Sequence, residues 1–375
     1  MIRNPAANPV AKPAATRGVD VWLIVASGIL LLIGMMSLFS IDHGSEGSRH
    51  FSRQLLRLGI GLVPFAFFYF VRPSFLLRYA NLLYVVNAIL LILVLRAGSS
   101  GGGAQRWLNF GPIDFQPSEM SKILTVVTLA AFFAKRDADA NRLSTFVLSI
   151  VHVAIPLLLI FLQPHFGASL VILVVWLAVS VAAGLKARYL VGAVGLAAIA
   201  IAGAVLIPGV LKAYQVERLH AMFGGSDQDE RFQIMRAQMA FASGGVTGVG
   251  FLKGEFKLPG FVPEQHTDFI FTVIGEEGGL VGCGLVLAAY GFFFYRIWRI
   301  TLRADDPFHR MIGAGIFAVL AFHTVVNLGM NLELLPVVGL WLPFMSYGGT
   351  AIWLCLGSVG LLLNLDRRAR PILFG

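Results

Sequence analysis

Cysteine is nearly absent from this sequence, and charged residues are scarce. The 375 residues include two cysteines, Cys283 and Cys355, and each lies within an apolar run, where a thiol packs as a small hydrophobic group. Two such cysteines exclude a disulfide framework and a thiolate metal site. Only 13% of the residues are charged and 57% are hydrophobic, which excludes an ordinary soluble domain. The composition is that of a membrane protein.

Apolar runs of about 20 residues, long enough to cross a bilayer as helices, recur along the chain. They begin near residues 20, 52, 75, 118, 144, 167, 189, 268, 309 and 345. Because only helices and closed barrels satisfy their backbone groups in lipid, we predict an all-α polytopic membrane protein with about ten transmembrane helices. Residues 1–18 are expected to form a disordered cytoplasmic tail, and residues 19–370 a single transmembrane domain.

The basic residues predict the topology. Seventeen of the 29 lysines and arginines fall in segments that share a side with both termini, and the positive-inside rule makes that side cytoplasmic. One large extracytoplasmic loop, about residues 210–267, then joins the seventh and eighth predicted helices. Its glycine-rich stretch ASGGVTGVGFLKG favours a close-packed re-entrant segment or loop. The net charge of +9 reflects topology, so no nucleic-acid partner is expected.

Several polar side chains lie near the predicted outer ends of the spans. Each costs a few kcal/mol at membrane depth, so each is a functional candidate. A lipid-linked substrate with a polar head would present that head at this face. The candidates are Arg53, Arg57, Glu119, Lys122, Asp268, Ser346 and Tyr347.

Structural roles compete with functional ones at these positions. Glu119 and Lys122, three residues apart on a helix, also fit a structural ion pair. Arg53 and Arg57 either snorkel to lipid head groups or bind a phosphate or diphosphate. For Asp268 the alternative is a carboxylate stabilised by a helix N-terminus.

Other polar residues favour structural roles. A lone histidine lacks metal-ligand spacing, and intramembrane amides and carboxylates often bond to neighbouring helices. The stretch PFMSYGGT also fits a small-residue packing motif. The residues in this group are His165, His266, Glu276, Glu277, Asn327, Asn331 and Glu333.

Four sequence blocks together resemble a known family. They are RWLNFGPIDFQPSEMSKI (106–123), SGGVTGVG (243–250), FVPEQHTDFIFTVIGEEGG (261–279) and NLGMNLELLPVVGLWLPFMSYGGT (327–350). In this order they are similar to the signature blocks of the SEDS family, the shape, elongation, division and sporulation proteins. The versions FVPEQHTDFIF and LLPVVG resemble the elongation branch of the family more than the division branch.

The resemblance implies a bacterial peptidoglycan glycosyltransferase of cell elongation and shape maintenance. Such an enzyme polymerises lipid II, the undecaprenyl-diphosphate-linked disaccharide pentapeptide, at the outer face of the cytoplasmic membrane. The implied partners are a class B penicillin-binding protein, which crosslinks the strands, and other membrane proteins of the elongation complex.

The resemblance also implies a site. Its essential aspartate falls on Asp268. The expected substrate-binding residues are Arg53, Arg106, Trp107, Gln116, Glu119, Lys122, Arg218, His266, Thr267 and Ser346. A divalent cation, Mg²⁺ or Mn²⁺, bound by Asp268 is a further option, although one carboxylate without neighbouring ligands makes a weak site.

The sequence departs from the family pattern at four positions. His165 replaces an acid, Glu333 replaces a glycine, Trp341 replaces a proline, and Arg57 stands where an aromatic is usual. These departures put in doubt the fine geometry around them.

The expected mechanism assigns Asp268 as the base that takes a proton from the acceptor sugar's hydroxyl as it attacks the donor's anomeric carbon. Cations balance the leaving diphosphate; the candidates are Arg53, Arg106, Lys122 and Arg218. Two other functions remain open, a lipid II flippase and a noncatalytic scaffold that activates a penicillin-binding protein. A transporter lines a midplane path with polar residues, whereas the sixth and seventh predicted spans carry no charge there.

Overall fold

The computed structural model describes residues 18–43, 49–101, 104–110, 113–136, 142–163, 165–195, 228–257 and 261–368. Residues 187–195 are helical. The other elements, in chain order, are α1 (Val21–His43), α2 (His50–Phe70), α3 (Pro73–Arg78), α4 (Ala80–Ala97), β1 (Ser99–Gly101), β2 (Ala104–Phe110), β3 (Ile113–Phe115), α5 (Pro117–Ala134), α6 (Leu143–Phe161), α7 (Phe166–Ala182), α8 (Gln228–Gly244), α9 (Phe271–Leu302), α10 (Pro307–Asn331) and α11 (Gly349–Arg368).

The helices match most of the predicted spans. Within the described ranges, six are long and apolar enough to cross a membrane, namely α1, α4, α6, α9, α10 and α11. Helices α2, α5 and α7 lie at the spans predicted near residues 52, 118 and 167. The protein is therefore a largely helical, polytopic membrane protein. The predicted tail and most of the seventh span lie outside the described residues, as do residues 210–227 and 258–260 of the long loop.

Two segments differ from the prediction. The span expected from about residue 75 is divided at Tyr79 into α3 and α4. The glycine-rich segment between α4 and α5 forms an antiparallel sheet in the order β1-β2-β3, in which Leu108 pairs with Phe115. Glycine and proline between short apolar and aromatic stretches permit such hairpins. The all-α prediction is wrong for this segment.

Helix α11 packs along α2. Gly360 lies against the backbone of Phe65, where a Cβ would overlap the carbonyl group. Near the end of α2, Asn364 donates through Nδ2 to the carbonyl oxygens of Phe68 (2.8 Å) and Val71 (2.6 Å). These carbonyls lie beyond the last helical hydrogen bonds, so the amide satisfies groups that lipid cannot.

Helix α9 is broken at Gly279, which has φ 62° and ψ −160°. Segment 244–250 packs into the break, which confirms the prediction of a close-packed glycine-rich stretch. Its glycines permit the approach, because a Cβ at Gly244 or Gly248 would overlap the α9 backbone. Four backbone hydrogen bonds join the two segments: Leu280 to Gly245 (3.0 Å), Val281 to Val246 (3.0 Å), Val249 to Glu276 (3.0 Å) and Gly250 to Glu277 (3.1 Å).

The two glutamates of α9 hold the chain that follows segment 244–250. The Glu276 carboxylate accepts a hydrogen bond from the backbone N–H of Phe256 at 2.9 Å. Glu277 pairs with the buried Lys257 ammonium at 2.9 Å, and Lys257 also donates to Ser40 Oγ of α1 at 2.8 Å. The structural interpretation of both glutamates is confirmed.

Residues 332–348 join α10 to α11 and are called the 332–348 connection below; residues 332–335 are exposed, whereas most of residues 340–346 are buried. Leu340, Leu342 and Met345 are buried. Gly34 of α1 abuts the backbone of Met345 too closely for any Cβ. The connection therefore occupies a fixed position among α1, α5 and α10, and it carries the residues that surround Asp268.

Candidate active site

Asp268 lies in the turn that precedes α9. Glu264 starts this turn in the left-handed region, with φ 51°. Its carbonyl oxygen accepts hydrogen bonds from the backbone N–H of Thr267 (3.1 Å) and Asp268 (3.0 Å). A non-glycine residue at positive φ carries some strain, which the surrounding structure must offset. The aspartate is thus presented on a tight turn, three residues before the first helical residue, Phe271.

The 332–348 connection fixes the two residues before the aspartate. The carbonyl oxygen of His266 accepts from the backbone N–H of Tyr347 at 2.8 Å. The carbonyl oxygen of Thr267 accepts from the Ser346 hydroxyl at 2.6 Å. Gln54 of α2 holds the connection from the other side, since its Oε1 accepts from Gly348 N–H at 3.1 Å. This part of the turn is therefore immobilised from its backbone.

Helix α10 fixes the aspartate itself. The side-chain amides of Asn327 and Asn331 each donate to the carbonyl oxygen of Asp268 at 2.9 Å. Asn327 also donates to Leu340 in the 332–348 connection at 2.7 Å. The Asp268 carboxylate is half-buried and lies beside Gly339, where a Cβ would sit 3.6 Å from Oδ2. The backbone is held, and the carboxylate lies beside a residue without a side chain.

Aromatic rings cover one side of this turn. His266 packs against His50 with ring centroids 4.3 Å apart, and Tyr347 contacts both histidines. Asp42 holds His50 through Nδ1 at 2.8 Å. The Arg57 guanidinium lies over the Tyr347 ring, 4.2 Å from its centroid. Burial, and then the neighbouring His50, lower the pKa of His266 below its ordinary value of 6.5.

A second polar cluster lies at the start of α5. Lys122 is fully buried and donates to Glu119 at 2.6 Å and to Nε2 of His323 at 2.9 Å. Trp341 donates through its indole nitrogen to the other Glu119 oxygen at 2.9 Å and stacks on His323, with centroids 4.0 Å apart. The structural ion pair is confirmed. His323 and Trp341, which lie about 200 residues further along the chain, also contact the pair.

His165 extends this cluster toward the sheet. Its Nδ1 lies within hydrogen-bond distance of Ser118 Oγ (3.1 Å) and Gln116 Nε2 (3.4 Å). Arg106, on β2, donates to the carbonyl oxygen of Gln163 at 3.3 Å. The histidine that replaces an acid therefore holds the start of α5, in agreement with the structural interpretation.

The structure divides the predicted site residues into two groups, joined by the 332–348 connection. Asp268, His266, Thr267 and Ser346 form the first group. Gln116, Glu119, Lys122 and, on its edge, Arg106 form the second. Among the rest, Trp107 is half-buried on β2, Arg53 is exposed on α2, and Arg218 lies outside the described residues.

Four residues at the site were not predicted to bind substrate or support Asp268. No local sequence pattern links His50 or His323 to the other site residues, so only the tertiary contacts reveal them. Asn327 and Asn331 were expected to bond across helices, and they do so to the backbone of Asp268. The signal in the sequence was their spacing of four, which places both on one face of α10.

The residues around Asp268 do not fit a protein-built metal site. Among the residues that the structure describes, no three histidine, cysteine or acidic side chains come together in a metal-binding group. Mg²⁺ and Mn²⁺ prefer several oxygen ligands.

Comparison with known proteins identifies the family. The family model FTSW_RODA_SPOVE, described as a cell cycle protein, matches residues 18–371, and the chain belongs to this family. Among curated relatives, peptidoglycan glycosyltransferase MrdB of Escherichia coli K12 is 33% identical over 324 residues, which cover 85% of this chain and 86% of that protein. The probable peptidoglycan glycosyltransferase FtsW of Trichlorobacter lovleyi is 33% identical over 354 residues, 92% of this chain and 90% of that protein.

Solved structures share the fold. One comes from a peptidoglycan synthase complex, described as showing the structural coordination of polymerization and crosslinking. It matches with a TM-score of 0.80 and 30% identity, over 93% of this chain and 98% of that chain. The rod shape determining protein RodA of Thermus thermophilus matches with a TM-score of 0.70 and 28% identity, over 94% of this chain and 98% of that chain.

Proposed function

We propose that this protein is a peptidoglycan glycosyltransferase that polymerises lipid II into glycan strands during cell elongation. The observation that carries the proposal is Asp268, a half-buried carboxylate on a turn whose carbonyl groups are held by α10 and the 332–348 connection. A general base must be held in place to act on one hydroxyl. The names of the relatives support the reaction class.

Asp268 accepts the proton of the acceptor sugar's hydroxyl as that oxygen attacks the donor's anomeric carbon. The new glycosidic C–O bond forms while the bond from the anomeric carbon to the diphosphate breaks with inversion. The lipid diphosphate leaves with the electron pair, and the proton passes from Asp268 to solvent. Neighbouring cations stabilise the developing charge.

The predicted cations differ in what the structure leaves them to do. Lys122 is committed to Glu119 and His323, so it acts on substrate through the shape and charge of its cluster. Arg106 lies at the edge of that cluster, and Arg53 is exposed on α2. These two residues and Arg218 remain proposed diphosphate contacts, and Trp107, Gln116 and His266 remain proposed contacts to the rest of the substrate.

The proposal includes a location and partners. The distribution of lysine and arginine supports about ten spans with both termini cytoplasmic, in the bacterial cytoplasmic membrane. Asp268 then faces outward, where a lipid-anchored substrate presents its sugar. A class B penicillin-binding protein crosslinks the product strands. The solved relative in which polymerization and crosslinking are coordinated supports this partner, and other elongation-complex membrane proteins complete the assembly.

Asp268→Asn tests the proposal, because the amide is nearly isosteric but accepts no proton. Wild type and variant are purified alone and with a cognate class B penicillin-binding protein. Lipid II is supplied in detergent, so that no bilayer has to be crossed, and glycan polymer is measured on a gel. We expect polymer from the wild type and at least a 100-fold loss in the variant, the size of a general-base contribution.

The matched control is Asp305→Asn, an exposed aspartate beyond the end of α9, which is expected to polymerise normally. Polymer from Asp268→Asn at the wild-type rate refutes the assignment of the base. If neither the wild type nor any variant makes polymer, although the complexes are intact and lipid II is bound, a flippase or a scaffold is favoured.

A further inference from the structure

Arg57 is anchored on three elements next to the Asp268 turn. Its guanidinium lies over the Tyr347 ring, 4.2 Å from the centroid. Its stem lies against the first residue of α11, since a Cβ at Gly349 would be 3.4 Å from the Arg57 Cδ and Nε atoms. Its Nη2 atom is 3.7 Å from Asp114 Oδ2 on β3. Tyr347 in turn donates to the carbonyl of His266, so one residue separates Arg57 from the turn.

The Arg57 guanidinium has an ion-pair partner, Asp114, but no hydrogen-bond acceptor among the residues that the structure describes. A guanidinium has five N–H donors, yet within the described ranges this one donates no hydrogen bond, and the contact to Asp114 exceeds hydrogen-bond length. Other partly buried arginines do bond to protein oxygens; Arg236 donates to Phe261 at 2.6 Å, and Arg296 to Asp20 at 3.2 Å. The Arg57 side chain is 17% exposed, so a ligand can reach it.

We propose that Arg57 binds an oxyanion of the lipid-linked substrate, namely its diphosphate. The inference rests on the proposed function and names a substrate-binding residue where the family resemblance implies an aromatic. The ring of Tyr347 holds the flat face of the guanidinium and leaves its edges, one of which faces Asp114, without hydrogen bonds to the described residues. A planar fork of N–H donors matches two phosphate oxygens.

The surroundings favour an anion of the membrane surface. The guanidinium lies beside Gly349, the first residue of α11, and the dipole at a helix N-terminus attracts negative charge. Arg57 also lies two turns into α2, whose exposed neighbours Leu55 and Leu56 are apolar, as expected at lipid depth. Asp114, 48% exposed, is then a competitor that the diphosphate displaces.

Binding is measured without turnover, in an Asp268→Asn background in detergent. The probes are lipid II, undecaprenyl diphosphate and undecaprenol, which has no phosphate, and affinity is read by thermophoresis. We expect Arg57→Gln to weaken diphosphate binding by about tenfold or more, the value of hydrogen bonds to a charged group, and to leave undecaprenol unchanged. Arg57→Lys should recover part of the affinity, and Asp114→Asn should increase it.

The matched control is Arg49→Gln, an exposed arginine two turns earlier at the start of α2, with no change expected. The inference is overturned if Arg57→Gln binds undecaprenyl diphosphate within about twofold of the affinity of the Asp268→Asn background protein. A change that small is well below the loss expected for hydrogen bonds to a charged group. Weaker binding of lipid II with undecaprenyl diphosphate unaffected also overturns it, because Arg57 would then recognise a carboxylate of the peptide.

The remaining outcomes are decisive as well. If Arg57→Gln does not fold, Arg57→Lys and Asp114→Asn supply the test, and unchanged affinity in both refutes the inference. A wild type that makes no polymer but binds the diphosphate through Arg57 contradicts the proposed function and supports this inference.

Discussion

Ser346 donates its hydroxyl to the carbonyl oxygen of Thr267 at 2.6 Å, and the same oxygen atom of Ser346 accepts the backbone N–H of Leu342 at 2.8 Å. One side chain therefore shapes the 332–348 connection and ties it to the residue before Asp268. The two ends of this bond are 79 residues apart in the sequence. The position of the proposed base depends on tertiary contacts such as this one rather than on local helical structure.

Ser346→Ala should reduce polymerisation more than it reduces folding. It removes one hydrogen bond to the turn and leaves a backbone N–H without its partner, at a cost of about 1–3 kcal/mol. We expect kcat to fall about tenfold with little change in KM, because a small displacement of the base affects the transition state most. Ser52→Ala, at an exposed position on α2, is the control and should match wild type. Equal losses in kcat and folded yield across both variants would contradict a positioning role.

Lys122→Met should destabilise the protein strongly. It leaves the Glu119 carboxylate buried without its cation, and breaking a buried pair in this way costs about 3–5 kcal/mol. The double variant Glu119→Gln/Lys122→Met should recover most of the loss, since neither charge remains. Thermal unfolding of the purified protein in detergent measures both, with the exposed Lys253→Met as the control. The account fails if the double variant is no more stable than the single one.

Gly244→Ala should prevent segment 244–250 from closing on the break in α9. The added Cβ would overlap the carbonyl oxygen of Gly275, and overpacking of this kind costs about 1–3 kcal/mol. Gly284→Ala is the matched control, because a Cβ there meets nothing within 4 Å and alanine favours a helix by about 0.5–1 kcal/mol. A lower unfolding temperature is expected only for Gly244→Ala. Similar temperatures for the two variants would show that the segment is not close-packed.

His266 should make the protein less stable in mild acid. Burial lowers its pKa in the folded state below the ordinary value of 6.5, so below that pH the unfolded chain binds the proton first and is stabilised. The stability that the folded state gains from neutral His266 is fully present above pH 6.5 and is lost as the pH falls toward the pKa of His266 in the folded state. Between about pH 7.5 and pH 5.5 the unfolding temperature of wild type should fall more than that of His266→Gln. His43→Gln, an exposed histidine at the end of α1, should follow wild type.

Local periodicity explains what the sequence predicted well. Residues three or four apart on a helix are neighbours, so the contact of Glu119 with Lys122 followed from their spacing. The glycine-rich composition likewise predicted the close packing of segment 244–250. Neither pattern relates residues far apart in the chain. His323 and Trp341 reach the Glu119 cluster only because α10 and the 332–348 connection pack against α5.

Arg53 and Arg57 illustrate the same limit. In the sequence they are two arginines on one helical face, with equal reason to bind an anion. In the structure Arg53 is exposed, whereas Arg57 rests on Tyr347. The difference arises because the 332–348 connection and the first residue of α11 pack against α2 at Arg57. The break in α9 was hidden for the same reason, since its glycines and glutamates occur within a run that is otherwise typical of a continuous helix.

The order in which the ribosome makes this chain has a consequence for the hydrogen bonds around Asp268. When translation has passed α10, the aspartate and both asparagines exist, but Ser346 and Tyr347 do not. The carbonyl groups of His266 and Thr267 then lack their donors. We therefore expect a nascent chain to hold an incomplete site until α11 follows into the bilayer. A chain stalled before that point would occupy the membrane without consuming its substrate.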